Sequence, residues 1–343
     1  MRALPLPWPF GSRDHHLRIR KIGEALLQDE YDIIALEEGN ENFSKNLGRG
    51  FYENPVSFFQ VWGESDFLRL QEMLKETYTY NYYFHSGFTG SGICVFSRHP
   101  IVSTLMHRFT LNGFAHHIHR GDWFGGKGVG LVEIEIEQYR INFYAAHLHA
   151  EYDSNKDLYL PHRLAQAFEL AQFVKHTSYS ANALILAGDF NIESDNLAYD
   201  LIMKNANLKD AWIQKPNKCD DCGATFERLD NCYTPQRLKN KKTHGNGKRL
   251  DYIMYGSGRS KIELKLCEIR MNRVHDQKSI NYSDHAGIYA EFFVSEHYNE
   301  ALTVRFVFTL LIGFCLWHGF IGLTLEHKAL KASKASVSML LND

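Results

Sequence analysis

Five stretches of this chain set an acid, an amide or an imidazole at one end of an apolar run. The densest is A-L-I-L-A-G-D-F-N-I at 183–192. Its apolar half has the length and branched composition of a strand buried on both faces, and it turns polar after Gly188. Asp189 and Asn191 are two apart, so they point the same way wherever strand geometry persists. A carboxylate beside a carboxamide at the carboxyl end of a buried strand sits where α/β sheets open onto ligands. The same string also reads as an Asx turn leaving a strand. Y-D-I-I-A-L-E-E at 31–38 ends on Glu37 and Glu38, of which alternation turns only one toward a given face. An acid there suits a hard divalent cation, because magnesium takes oxygen ligands and few of them from protein. Y-R-I-N-F-Y-A-A-H-L-H-A at 139–150 brings His147 and His149 to one face of a strand end, for metal, protons or structure alike. R-L-D-Y-I-M-Y at 249–255 interrupts its alternation with Asp251, and N-Y-S-D-H sets Asp284 and His285 directly before a last strand.

The elements that would position these groups follow from apolar periodicity. Helical spacing marks 14–30, 64–76 and 157–177, and a strand is expected at 261–271. A glycine-rich turn at 86–92 enters a strand that stops at Pro100. G-D-W-F-G-G-K-G at 121–128 fits G-x-x-x-x-G-K but lacks the following Ser or Thr and leads into an alternating strand, so a nucleotide loop is rejected. Lys127 there reads either as a point charge for a phosphate or as a solvated loop lysine. The polar, turn-rich stretch 215–248 reads as a long surface excursion. Strands outnumber helices and often follow one another directly, which predicts an α/β fold with mixed rather than purely parallel sheets.

With 343 residues, 44% of them hydrophobic, the chain can bury one large core. Its 38 basic and 40 acidic residues leave a net charge of −2, which argues against a polyanionic partner such as nucleic acid. Cys219, Cys222, Cys232 and His244 do not have the paired spacing of a zinc site, and reduced thiols are expected. Phe306 to Leu325 contains no Asp, Glu, Lys or Arg. About 20 such residues cross a hydrocarbon layer of roughly 30 Å as a helix. The organisation expected is a catalytic domain at 1–296, a transmembrane helix at 304–325 and a short tail at 326–343.

In order, the strings L-E-E, A-H-L-H-A-E-Y, G-D-F-N, L-D-Y and S-D-H resemble the endonuclease/exonuclease/phosphatase family. G-D-W-F-G-G-K-G-V-G and G-S-G-I-C-V-F-S-R-H-P-I are similar to its neutral sphingomyelinase branch. The resemblance implies a four-layer sandwich of two packed mixed sheets flanked by helices. It also implies Mg²⁺-dependent hydrolysis of sphingomyelin or a related phosphosphingolipid to ceramide and phosphocholine. By the same resemblance Glu38 is the Mg²⁺ ligand and His285 the general base, oriented by Asp251. His147, Asn191 and Asp189 hold the phosphoryl oxygens or the water, and Asp284 lies near the metal or braces the histidines. Trp123 is a candidate cation-π partner for a quaternary ammonium. The resemblance implies an integral membrane protein with a cytosolic catalytic domain. Two departures mark it: the family's first strand, with an Asn just before a Trp, is not found ahead of Trp8, and 39–60 reads as an insert before V-W-G-E-S-D-F. A nuclease of the same fold and a catalytically impaired membrane-tethered scaffold are the alternative readings.

Overall fold

The structure is a computed structural model that describes residues 14–37, 64–87, 90–117, 122–153, 156–216, 222–240, 246–275 and 280–296, with 331 and 334. The chain divides into two compact units, Met1–Glu296 and His297–Asp343. In the second, only the helical, exposed Lys331 and Lys334 are described. The span expected at 304–325 lies outside the described residues, as do Glu38 and the insert 39–60. Among the described residues no helix is long and apolar enough to cross a membrane.

The first unit opens with α1 (His15–Gln28), β1 (Ile33–Leu36), α2 (Glu64–Leu74), β2 (Tyr80–Tyr83), β3 (Cys94–Ser97) and β4 (Ile101–Arg108). A single turn, α3 (Asp122–Gly125), leads into the hairpin β5 (Gly128–Ile136) and β6 (Tyr139–Ala146). Helix α4 (Leu160–Thr177) then crosses to β7 (Ala183–Asp189). Pro161 in its first turn needs no N–H partner, and Lys175 and His176 in its last turn complement the helix dipole. Next come α5 (Leu197–Asn205), β8 (Lys209–Asp210), α6 (Ala211–Gln214) and α7 (Gln236–Lys239). Asn196 caps α5 by accepting from the Ala198 N–H. Strands β9 (Asp251–Ser257), β10 (Ser260–Arg270) and β11 (Gly287–Glu296) complete the unit.

Six strands form one mixed sheet in the order β4-β5-β6-β7-β9-β8. Strands β6 and β7 are parallel, joined by the α4 crossover that a parallel pair requires, and the other neighbours are antiparallel. Alternation along β7 divides its side chains between two cores. Leu184 and Leu186, with Tyr144, Tyr252 and Met254, pack under α4 and α5. Ile185 and Ala187, with Val132, Ile134 and Phe143, pack against Ile33, Ala35 and Val95 of the antiparallel sheet β1-β3-β2. Farther along, Ala183, Ile141 and Tyr255 meet Ile262, Cys267 and Phe292 of the antiparallel pair β10-β11. Helices α1 and α2 cover the outer face of β1-β3-β2 through Ile19, Ile22, Leu26, Leu70 and Leu74. The layers therefore run helix, sheet, sheet, helix.

The strand expected to reach 150 stops at Ala146, and the His149 N–H donates to the Gln166 side chain, whereas β7 ends at Asp189, where its sequence turns polar. The exposed edge strands β2 and β4 were not legible as strands, since little of either is buried. The surface excursion at 215–248 needs correction. Thr225, Phe226 and Asn231 are buried, and Phe226 bridges both Lys248 and His285, so the segment folds back over the sheet.

Close approach of the two central sheets requires glycine at 130. A Cβ there would lie 2.3 Å from Cε2 of Phe84, a ring buried between the sheets. Gly130→Ala is expected to cost about 1–3 kcal/mol through overpacking. Thermal or urea unfolding measures this, and an unchanged midpoint would show that the sheets are not packed ring against backbone here.

Candidate active site

Strands β7 and β9 run antiparallel in a register that sets Asp189 opposite Asp251. Phe190 N–H donates to the Leu250 carbonyl at 2.9 Å and the Tyr252 hydroxyl to the Ile192 carbonyl at 2.8 Å, which pins that register past the end of the ladder. Asn191 adopts φ 52°, a left-handed conformation that Asn tolerates better than most residues. Its backbone N–H donates to Asp189 Oδ1 at 3.0 Å and its Nδ2 to the Leu148 carbonyl at 2.9 Å. Among the described residues, Asn191 Oδ1 and Asp189 Oδ2 are buried without a hydrogen-bond partner. Glu37, one residue beyond β1, accepts from the Asp189 N–H at 2.7 Å. A Cβ at Gly188 would stand 1.9 Å from the Ala146 carbonyl oxygen and 2.9 Å from Glu37 Oε1, so only glycine lets these chains meet.

His285 donates from Nδ1 to Asp251 Oδ2 at 2.8 Å, which leaves Nε2 buried and 3.9 Å from Asp189 Oδ2. Burial opposes a charge on this ring. The Asp251 charge and hydrogen bond, with Asp189 and Asp284, override it and lift His285 to about 10. The returning segment supports the pair: Thr225 Oγ1 accepts from the N–H groups of Leu250 and Asp251, and the Phe226 ring lies 4.6 Å from the imidazole. Ser283 Oγ donates to Asp284 and accepts from the His285 N–H, so Asp284 braces the turn that carries the histidine.

His147 Nε2 lies 3.7 Å from Asp189 Oδ2 and 2.8 Å from Lys127 Nζ. Lys127 also donates to the Leu148 carbonyl at 2.9 Å and pairs with Asp122 at 3.2 Å. It is buried, which excludes the solvated-lysine reading. Burial, and then the Lys127 charge, drive His147 well below the ordinary histidine range, so the ring is neutral with Nε2 as acceptor. His149 points elsewhere, 3.8 Å from Asp122 and stacked on Tyr159, and burial brings it down to about 4. The two histidines expected on one face thus serve different partners.

The geometry brings Asp189, Asn191, Asp251, His147 and His285 together, with Asp284 behind them. Glu38 lies outside the described residues, and the acid seen at that strand end is Glu37. Periodicity could have selected Glu37, since alternation admits one of the two. Nothing in the sequence marked Thr225 or Phe226. Cys222 and Cys232 are free, and Cys219 and His244 lie outside the described residues.

The donor set fits a hard cation. Burial, then repulsion from Asp189 and Asp251, raises Glu37 well above the carboxylate range; burial and Asp251 lift Asp189 to about 6. One ligand atom each from Asp189, Asp251 and His285 lie within 4.8 Å of one another. Crowded acids with a buried, unpartnered oxygen are relieved by a divalent ion, and oxygen donors suit magnesium better than soft metals.

Residues 11–285 match the family model described as Endonuclease/Exonuclease/phosphatase family. A Caenorhabditis elegans protein classed as a neutral sphingomyelinase is 41% identical over 99% of this chain and 89% of its own length. Human sphingomyelin phosphodiesterase 2 is 39% identical over 72% of this chain; the match spans about half of that protein, 53%. A beta toxin variant from Staphylococcus aureus, solved with bound magnesium ions, shares the fold with a TM-score of 0.54 at 18% identity, over 81% of this chain and 92% of its own. The chain belongs to the Endonuclease/Exonuclease/phosphatase family, in its neutral sphingomyelinase branch.

Proposed function

We propose that this protein is a phosphodiesterase that hydrolyses sphingomyelin to ceramide and phosphocholine. The observation that carries this reading is the buried His285–Asp251 pair beside Asp189, Asn191 and His147, in a chain of neutral sphingomyelinase sequence. His285 Nε2 takes a proton from water as the water oxygen bonds to phosphorus, and Asp251 holds the tautomer and steadies the imidazolium. The phosphorus–oxygen bond to ceramide breaks, and its electron pair leaves on the ceramide oxygen, which takes a proton from solvent and departs as the alcohol, while His285 returns its own proton to solvent. Asp189 and Asn191 orient the water and the phosphoryl group, with neutral His147 as a further partner. Asp284 steadies the turn bearing His285.

Glu38, the acid that the family resemblance selects after β1, is proposed as the Mg²⁺ ligand, and the ion when bound would supply positive charge to the phosphoryl and leaving oxygens. The convergence of Asp189, Asp251 and His285 supports a cation in this pocket, as does the magnesium held by the toxin variant of the same fold. We read 304–325 as a membrane anchor that keeps a cytosolic domain beside its lipid substrate, on the strength of the 20 residues from Phe306 that carry no Asp, Glu, Lys or Arg. The half-exposed Trp123 is the aromatic face proposed for the choline cation.

In detergent micelles of sphingomyelin, phosphocholine release should vanish with EDTA and return with Mg²⁺. His285→Ala should lower kcat by roughly 10²- to 10⁴-fold. Equal release from both proteins would remove the enzyme reading, and cleavage of DNA in place of lipid would assign a nuclease. The pH profile gives a second check. Asp251 raises the His285 pKa and the base must be unprotonated, so activity should climb with pH. Asp251→Asn should move the acid limb to lower pH while depressing the plateau; a limb that stays in place would mean that Asp251 does not govern the base.

A further inference from the structure

Gln166 lies wholly buried on α4, on the face turned to the segment that follows β6. Its Oε1 accepts from the His149 N–H at 2.8 Å and its Nε2 donates to the Leu111 carbonyl at 2.7 Å. Both partners are backbone groups, so the amide has one orientation that satisfies them: a donor needs the oxygen and an acceptor needs the nitrogen. The His149 N–H belongs to the same peptide unit as the Leu148 C=O. That carbonyl accepts from Asn191 Nδ2 and from Lys127 Nζ, each at 2.9 Å. A trans peptide is a rigid plane whose N–H and C=O point in opposite directions. Fixing the N–H edge of the plane therefore fixes the carbonyl edge.

We propose that Gln166 is a positioning residue: by gripping the N–H edge of the Leu148–His149 peptide, it sets the carbonyl that aims Asn191 and Lys127 into the reaction pocket. Asn191 keeps Oδ1 toward the pocket only while Nδ2 is held by that carbonyl, and Lys127 keeps its place beside His147 by the same acceptor. The far end of the Gln166 amide is tied to the segment around Leu111, so the amide cannot follow a rotating peptide without giving up that second bond. Arg163, one turn earlier on α4, reaches the carbonyl two residues along, that of Ala150.

Because the kinetic test rests on the phosphodiesterase reading, it is paired with one that does not. In the full chain, Gln166→Met keeps the bulk and loses both bonds; kcat for sphingomyelin should fall roughly 10- to 100-fold with KM within about twofold. Gln166→Glu is the sensitive variant. Its protonated carboxyl can still accept from His149 and donate to Leu111, whereas the carboxylate faces the Leu111 oxygen unfavourably. The ratio of Gln166→Glu to wild-type activity should therefore rise as pH falls from 8 to 5, while the Gln166→Met ratio stays flat. A kcat for Gln166→Met within about twofold of wild type, or flat ratios for both variants, would overturn the proposal. If the wild type releases no phosphocholine, the phosphodiesterase reading fails and amide exchange decides the positioning alone. Exchange at the His149 N–H should be at least about tenfold faster in Gln166→Met, and an unchanged rate would overturn it.

Discussion

The site depends on how tightly the ends of β6, β7 and β1 close on one another. At Gly188 the backbone of β7 runs so near the Ala146 carbonyl and the Glu37 carboxyl that a methyl group would occupy their space. That approach puts the Asp189 N–H within reach of Glu37 and the Asp189 carbonyl within 3.0 Å of the Leu148 N–H. It also brings His147 and Asn191 to the same carboxylate. Two facing sheets therefore share one polar point at their ends, and the leucine, alanine and isoleucine alternation along β7 exists on both of its faces to hold them there.

Electrostatics at this point are unbalanced by construction. Three carboxylates converge in a buried place, and their mutual repulsion adds to the cost of desolvation. The positive charge at hand is Lys127, engaged with Asp122, the His147 ring and the Leu148 carbonyl, and His285 when protonated. A hydrolase needs that histidine as a base. A divalent ion among the acids satisfies both demands, since it offsets their charge and weakens their hold on the His285 proton. The neutral His147 fits the same logic: beside a lysine and deep in protein, it stays available as a hydrogen-bonding group.

Most of the polar cluster could be read from the chain because each member stands at an edge of an apolar run. Asp189, Asn191, Asp251 and His285 are marked by a change between apolar and polar at a strand boundary; the register between β7 and β9 sets Asp189 opposite Asp251, and His285 joins them through Asp251. Less was legible where placement depends on distant pairing. Thr225 and Phe226 sit in a polar, turn-rich stretch with no period, and they are buried only because they bridge to Lys248 and His285. Lys127 looked ambiguous because a glycine-rich loop does not show which way its lysine turns. His147 and His149 were expected on one face on the assumption that β6 continues, but the strand stops at Ala146 and the two rings meet different partners.

The central claim is that the glycine contact at 188 assembles a cation site from separate strand ends. Calorimetric titration of Mg²⁺ into the full chain and into Gly188→Ala, with circular dichroism showing both to be folded, tests it most directly. Saturable binding by the wild type and affinity at least about tenfold weaker in Gly188→Ala are the predicted results. Equal affinity in the two proteins would contradict the account, because the acids would then meet the ion without the close approach that the structure makes essential.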